Sequence, residues 1–192
     1  MRAVQGIGDL VGALDAFDGA LAPGRVADLL RRCTVDERSL DGYLHFRDGA
    51  YTRNLIARRD SFELIAICWD RSVATAIHDH DDSDCAFVML RGSLRCEDWE
   101  CSADGRDGTS FAIRRCGETS LHRGDVDLRT GSLSLHRVAT DGEPAVSLHV
   151  YARPIDSCLI FEESGSCRRV ASHYDTMPAP GPNGARLKNR LR

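Results

Sequence analysis

The residues best equipped for chemistry lie in Ile77-His78-Asp79-His80-Asp81-Asp82-Ser83-Asp84-Cys85. Side chains alternate along an extended strand, so two histidines one residue apart point to the same face. Neutral imidazole is the commonest side-chain ligand for transition metals, and the pair offers two nitrogens to one ion. The acidic run Asp81, Asp82 and Asp84 reads as a turn leaving that strand. Spacing alone leaves two readings open, a metal-binding pair and a pair of surface histidines.

Other stretches carry polar residues with the same period. Tyr51 and Arg53 share a face, and so do Ser147, His149 and Tyr151, while Val146, Leu148 and Val150 occupy the opposite face. In an ordinary sandwich strand such a polar face looks at water. Arg, Tyr, His, Ser and Cys repeated over several strands suit instead the interior of a ligand-holding barrel. His136, in Leu133-Ser134-Leu135-His136-Arg137-Val138, is a lone histidine and by itself reads as a surface or core residue. Nothing acidic near Arg53 in sequence offers it a partner.

The elements that must position these residues follow from periodicity. Residues 8 to 48 look helical: Leu10, Leu14, Phe17 and Leu21 keep a helical spacing, Pro23-Gly24 breaks it, and Val26, Leu29, Leu30 and Cys33 resume it. Asp36 can cap a short third helix through Leu40. From Tyr51 the period becomes two. Strands are expected at Tyr51–Ile56, Phe62–Trp69, Ala74–His78, Cys85–Leu90, Ser93–Trp99, Thr109–Arg114 and Thr119–His122. Further strands are expected at Leu133–Val138, Ala145–Tyr151, Ser157–Phe161 and Cys167–His173. Short strands punctuated by Gly105, Gly108, Gly117, Gly124, Gly131 and Gly142 predict a mainly β sandwich or barrel. The expected organisation is a helical segment over 1–48, packed on a barrel over 49–175 in the same domain. A loose tail is expected over 176–192, rich in Pro and Gly.

Size and composition narrow the function classes. A chain of 192 residues is expected to form one domain with a proper core, and a net charge of −4 argues against a nucleic-acid binder. The basic residues Arg186, Lys188, Arg190 and Arg192 read as solvated. No apolar run is long enough to cross a bilayer, and the N-terminal stretch lacks the apolar core of a signal peptide, so a cytoplasmic protein without a membrane is expected. The eight cysteines are then thiols, and no Cys-x-x-Cys pair suggests a zinc finger or a redox motif.

The order of motifs resembles a known family. His78-Asp79-His80, four residues, Cys85, six residues, Gly92 is similar to the first cupin motif with Cys in place of Glu, as in the cysteine dioxygenases. Tyr51-Thr52-Arg53-Asn54-Leu55, Cys68-Trp69, Leu135-His136-Arg137-Val138, Glu143 through Tyr151 and Asp156-Ser157-Cys158 follow in family order, so that the resemblance covers roughly residues 43 to 163. It implies a cupin, a small β-barrel or jelly-roll with N-terminal helices. It further implies a usually monomeric enzyme that converts cysteine and O2 to cysteine sulfinic acid. His78, His80 and His136 would hold a non-haem Fe(II). Arg53 would pair with the substrate carboxylate, with Tyr51 lining the same end. Ser147, His149 and Tyr151 match the family's relay, and Cys85 matches the cysteine joined to that tyrosine by a thioether.

Two departures leave the thiol substrate open. Asp84 stands where the family often has His, and Ala152-Arg153-Pro154 replaces the Ser-Pro-Pro with a cis bond of the animal enzymes. No Gly-x-Gly-x-x-Gly motif suggests a dinucleotide. The readings in competition are a dioxygenase for L-cysteine, one for another small thiol acid such as 3-mercaptopropionate, a non-catalytic cupin, and a cupin isomerase. Arg53, Cys85 and Tyr151 together with three histidines favour the dioxygenase.

Overall fold

The computed structural model describes residues 5–17, 21–101 and 112–178. Two helices come first, α1 (Ile7–Asp15) and α2 (Pro23–Arg31), followed by a 3-10 turn over Glu37–Leu40. The first helical pattern stops at Asp15, short of Phe17 and Leu21, and Pro23 does not end it but opens α2, where a missing N–H costs nothing. Asp36 caps the 3-10 turn, its carboxylate accepting the Arg38 N–H at 3.0 Å.

Eleven strands follow among the described residues: β1 (Tyr51–Arg58), β2 (Glu63–Trp69), β3 (Ile77–His78), β4 (Cys85–Arg91), β5 (Ser93–Cys101), β6 (Ile113–His122), β7 (Val126–Arg129), β8 (Leu135–Thr140), β9 (Ala145–Tyr151), β10 (Ser157–Glu162) and β11 (Ser166–Ala171). They form two antiparallel sheets, β1-β2-β9-β4-β7 and β11-β10-β3-β8-β5-β6. The sheets face one another as a jelly-roll and do not close into one hydrogen-bonded barrel. Several expectations change: the helical elements end at Leu40 and do not run on to residue 48, and the strand expected from Leu133 starts at Leu135. The strand foreseen over Ala74–His78 shrinks to Ile77–His78. Thr119–His122 is the end of the longer β6, and Val126–Arg129 forms a strand that periodicity did not flag. Of the expected strand over 109–114, positions 109–111 lie outside the described residues and Ile113 and Arg114 begin β6; the expected tail over 176–192 lies mostly outside the described residues, but Thr176 is paired with Asn54 beside β1.

The inner strands of the five-stranded sheet are dry on both faces: β2 and β9 are wholly buried, and β4 is buried except for Arg91. Leu64, Ala66, Val146, Leu148 and Val150 turn outward and pack under Leu10, Leu14, Val26, Leu29 and Leu30 of the helices. Each fully buried leucine contributes about 1.5–3 kcal/mol there. The opposite side chains, among them Ile65, Ile67, Trp69, Phe87 and Tyr151, fill the space between the sheets. A polar face was expected to look either at water or into an interior, and covering by α1 and α2 decides for the interior. No helix among the described residues is long and apolar enough to cross a membrane.

Gly92 makes the turn from β4 to β5 with φ +72°, and a Cβ there would lie 2.7 Å from the Pro144 carbonyl oxygen and 2.9 Å from the Ala145 Cβ. Both the left-handed backbone and the contact oppose any side chain. Gly92→Ala should therefore destabilise the fold by about 2–3 kcal/mol. Urea denaturation measures this, and a midpoint equal to the parent's would contradict it.

Candidate active site

The ladder between strands brings the histidines together. His78 on β3 pairs directly with His136 on β8, so both project from the inner face of the six-stranded sheet. His80 lies beyond the end of β3, a departure from the single strand expected to carry both residues of the His-x-His pair. The turn after β3 supplies what the strand does not. Buried Asp79 accepts the Leu159 N–H at 2.8 Å and the Asp81 N–H at 3.2 Å, and Asp81 adopts φ +52°, turning the chain so that His80 still faces His136. The potential ligand atoms of the three histidines all lie within 4.8 Å of one another.

Protonation in this cluster follows from burial. Desolvation pushes His78 below the ordinary histidine range, and His80 and His136 well below it, with neighbouring positive groups adding to the effect. The His78 Nδ1–H is directed at the Ala76 carbonyl at 2.9 Å, which leaves Nε2 as an acceptor. His80 and His136 bring their Nε2 atoms to 3.2 Å from each other. At most one proton fits between two such nitrogens, whereas a shared cation lets both act as donors of electron pairs. The cluster therefore fits a transition metal held by neutral imidazoles. Cys96 and Asp127 also approach His136, but Asp127 is engaged by Arg129 at 2.6 Å.

The opposite sheet supplies the remaining expected residues. On β9, Ser147 Oγ accepts the Trp69 Nε1–H at 2.8 Å and lies 2.8 Å from His149 Nε2. Trp69 can only donate, so the serine hydrogen is free for His149. The His149 ring stacks on Phe87 with centroids 4.5 Å apart, and its Nδ1 is 3.8 Å from Cys85 Sγ. Cys85 on β4 is the direct cross-strand partner of Tyr151 on β9, which places thiol and phenol side by side. Burial pushes both groups upward, so both keep their protons at neutral pH.

Arg53 projects from β1 toward the same place. Its Nη1 donates to Tyr151 Oη at 3.4 Å and its Nη2 to Glu63 Oε1 at 3.3 Å. Burial works against the Arg53 charge, but Tyr151 and Glu63 outweigh it and the group stays cationic. Tyr51 lies against Trp69 with ring centroids 5.2 Å apart. Tyr51, Arg53, His78, His80, His136 and Tyr151 all border one partly open cavity of about 120 Å³, which His149 also lines. Arg153, in the divergent segment Ala152-Arg153-Pro154, is exposed, does not line this cavity and donates to the Asp82 carbonyl.

Several functional candidates were not legible as such. The acidic partner that Arg53 seemed to lack is Glu63, wholly buried at the start of β2. A lone carboxylate opening the otherwise apolar run Glu63–Trp69 was its only signal. Arg58, across the hairpin from β1 to β2, and Tyr174, far along the chain, bind Glu63, while Asp175 binds the Arg53 backbone N–H.

Two facing antiparallel sheets that enclose three convergent histidines define this molecule as a cupin. A family model described as cysteine dioxygenase type I matches residues 13–164, and the chain belongs to that family. Cysteine dioxygenase type 1 of Rattus norvegicus is 36% identical over 124 residues, 63% of this chain and 60% of the rat protein. The Homo sapiens protein of the same name is 35% identical with the same coverage. The chain thus spans about 60% of the length of the curated relatives it matches. Among solved structures, a Klebsiella pneumoniae protein with a double-stranded β-helix domain superposes with TM-score 0.46 at 15% identity, over 70% of this chain and 88% of that one. A cupin superfamily protein of Desulfitobacterium hafniense gives 0.43 at 12%, over 72% and 94%.

Buried neutral histidines make stability depend on pH in the metal-free protein. As pH falls through about 6.5 the unfolded chain takes up protons at His80, His136 and His149, while the folded protein does not. Stability is complete above that value and should fall below it by about 1.4 kcal/mol per pH unit for each histidine that stays neutral. Urea denaturation of metal-free protein between pH 7.5 and 5.5 measures the slope, which His149→Gln should lower by about one proton. A slope unchanged by that substitution would contradict the assignment.

Proposed function

We propose that this protein is a non-haem Fe(II) thiol dioxygenase that converts L-cysteine and O2 to cysteine sulfinic acid. The observation that carries the reading is one cavity bordered by a three-histidine cluster on one side and the largely buried, cationic Arg53 on the other. Family membership over residues 13–164 supports it. The reaction is RSH + O2 → RSO2H, in which sulfur gives up four electrons and O2 accepts them, so no nicotinamide or flavin is needed. Iron held by His78, His80 and His136 would supply open coordination positions and, with three neutral ligands, an undiminished positive charge that favours a thiolate.

The chain's own residues then orient the substrate. Arg53 offers a guanidinium to the carboxylate, held in place by Tyr151 and Glu63. Tyr151 keeps its phenolic proton and can donate it in a hydrogen bond. Trp69, Ser147 and His149 form a chain of hydrogen bonds that fixes the wall beside Cys85 and Tyr151. Ile67, Trp69, Val138 and Ile160 line the rest and keep the space apolar. A second reading has one specific observation in its favour. The residues lining the cavity include no carboxylate to pair with a substrate ammonium, which suits a thiol acid without an amine such as 3-mercaptopropionate.

Arg53→Gln should lower kcat/KM for cysteine about 30-fold, since a charge-assisted contact is lost in a buried pocket. Cysteamine, which has no carboxylate, should be a poor substrate for the parent and lose little more in the variant. O2 uptake by iron-loaded protein with each thiol checks this, and equal losses for both thiols would make Arg53 structural.

The register of Cys85 against Tyr151 also supports a thioether between Sγ and the phenol ring, formed with loss of two hydrogens to O2. Peptide mass mapping after incubation with iron, cysteine and O2 should find the two peptides joined and two hydrogens lighter. Separate, unmodified peptides after turnover would reject the link.

A further inference from the structure

The cationic wall of the cavity is itself braced by a buried ionic cluster. Glu63 is 0% exposed and sits directly opposite Arg58 on β1 and Tyr151 on β9. Its Oε1 receives Arg53 Nη2 at 3.3 Å, and its Oε2 receives Arg58 Nη1 at 2.9 Å and the Tyr174 hydroxyl at 2.5 Å. Two guanidinium groups thus share the Glu63 carboxylate, and Arg58 has a second carboxylate partner in the exposed Asp156 at 2.6 Å, whereas Arg53 has no carboxylate on its side chain other than Glu63 among the described contacts. The Arg53 Nε–H is buried without a partner while its two terminal nitrogens are engaged by the protein. Donor capacity is therefore left over on a guanidinium whose plane is already fixed.

The Arg53 backbone is gripped as well. Its N–H donates to Asp175 Oδ2 at 2.9 Å, its carbonyl accepts the Asp175 N–H at 2.8 Å, and the Leu55 N–H donates to the Thr176 carbonyl at 3.0 Å. Arg47 holds the other Asp175 oxygen at 2.8 Å. Residues Tyr174–Thr176 therefore run along β1 as a clasp, with Tyr174 reaching Glu63 on one side and Asp175 closing on Arg53 from the other.

We propose that Glu63, together with the clasp Tyr174–Thr176, positions Arg53 and so sets the preference of the site for thiols bearing a carboxylate. This rests on the reading of Arg53 as the carboxylate receptor. A positioned fork loses less freedom on binding than a mobile one, so the bracing acts on affinity for the carboxylate and not on the sulfur end.

Glu63→Gln and Tyr174→Phe in the full chain test it. Anaerobic calorimetry of iron-loaded protein should show cysteine binding weakened about tenfold or more by Glu63→Gln and about threefold by Tyr174→Phe, with cysteamine within about twofold of the parent in both. Side-chain spectra of 15N-arginine-labelled protein should show slowly rotating guanidinium signals for Arg53 and Arg58 in the parent, lost in Glu63→Gln. Equal weakening of both thiols, or unchanged cysteine affinity, overturns the proposal. A parent protein that binds cysteine no better than cysteamine refutes instead the role of Arg53, while the arginine signals still report whether Glu63 holds it. Where Glu63→Gln does not fold, Tyr174→Phe and Asp175→Asn leave Glu63 in place and carry the same comparison.

Discussion

Dryness on both faces of β9 is the constraint on which the site depends. All seven residues Ala145–Tyr151 are buried, with helices over Val146, Leu148 and Val150 and the second sheet over Ser147, His149 and Tyr151. Polar groups in such a strand lose their water and must find partners within the protein or on a ligand. The Trp69, Ser147, His149 and Cys85 chain satisfies them in sequence across three strands. The N-terminal helices thus do more than cap a sheet: they deny the inner residues any route to water from behind.

The same dryness fixes the electrostatics of the cavity. Histidines in it are neutral and offer lone pairs, a tyrosine and a cysteine keep their protons, and Arg53 alone among the lining residues carries charge. A buried cation without compensation would cost several kcal/mol. Glu63 offsets that cost from behind the guanidinium, leaving the face toward the cavity for an anion. Arg53 and the histidine cluster therefore sit on opposite sides of the cavity, and the space between them sets the length of ligand that can reach both.

Much of this was written in local patterns. Period two put Tyr51 with Arg53 and Ser147 with His149 and Tyr151 on common faces, and those faces point inward. The ordered motifs, with His136 among them, carried the family. What escaped was what depends on contacts between distant segments. His80 reaches the cluster through a turn built by Asp79, not through strand alternation. Glu63 meets Tyr174 across a separation of 111 residues and Arg53 meets Asp175 across 122, distances over which no sequence period speaks. The four residues Val126–Arg129 alternate too briefly to stand out, and they become a strand only because β4 offers them an edge.

The central claim is that the three histidines and Arg53 together serve oxidation of a thiol acid by O2 with no outside source of electrons. Iron-loaded protein given L-cysteine or 3-mercaptopropionate under 18O2, without reductant, tests it most directly by mass spectrometry of the product. The account predicts a sulfinate in which both new oxygens carry the label, absent when His136→Ala protein is used. A sulfinate with oxygen drawn from water, or labelled product formed equally by His136→Ala, would contradict it.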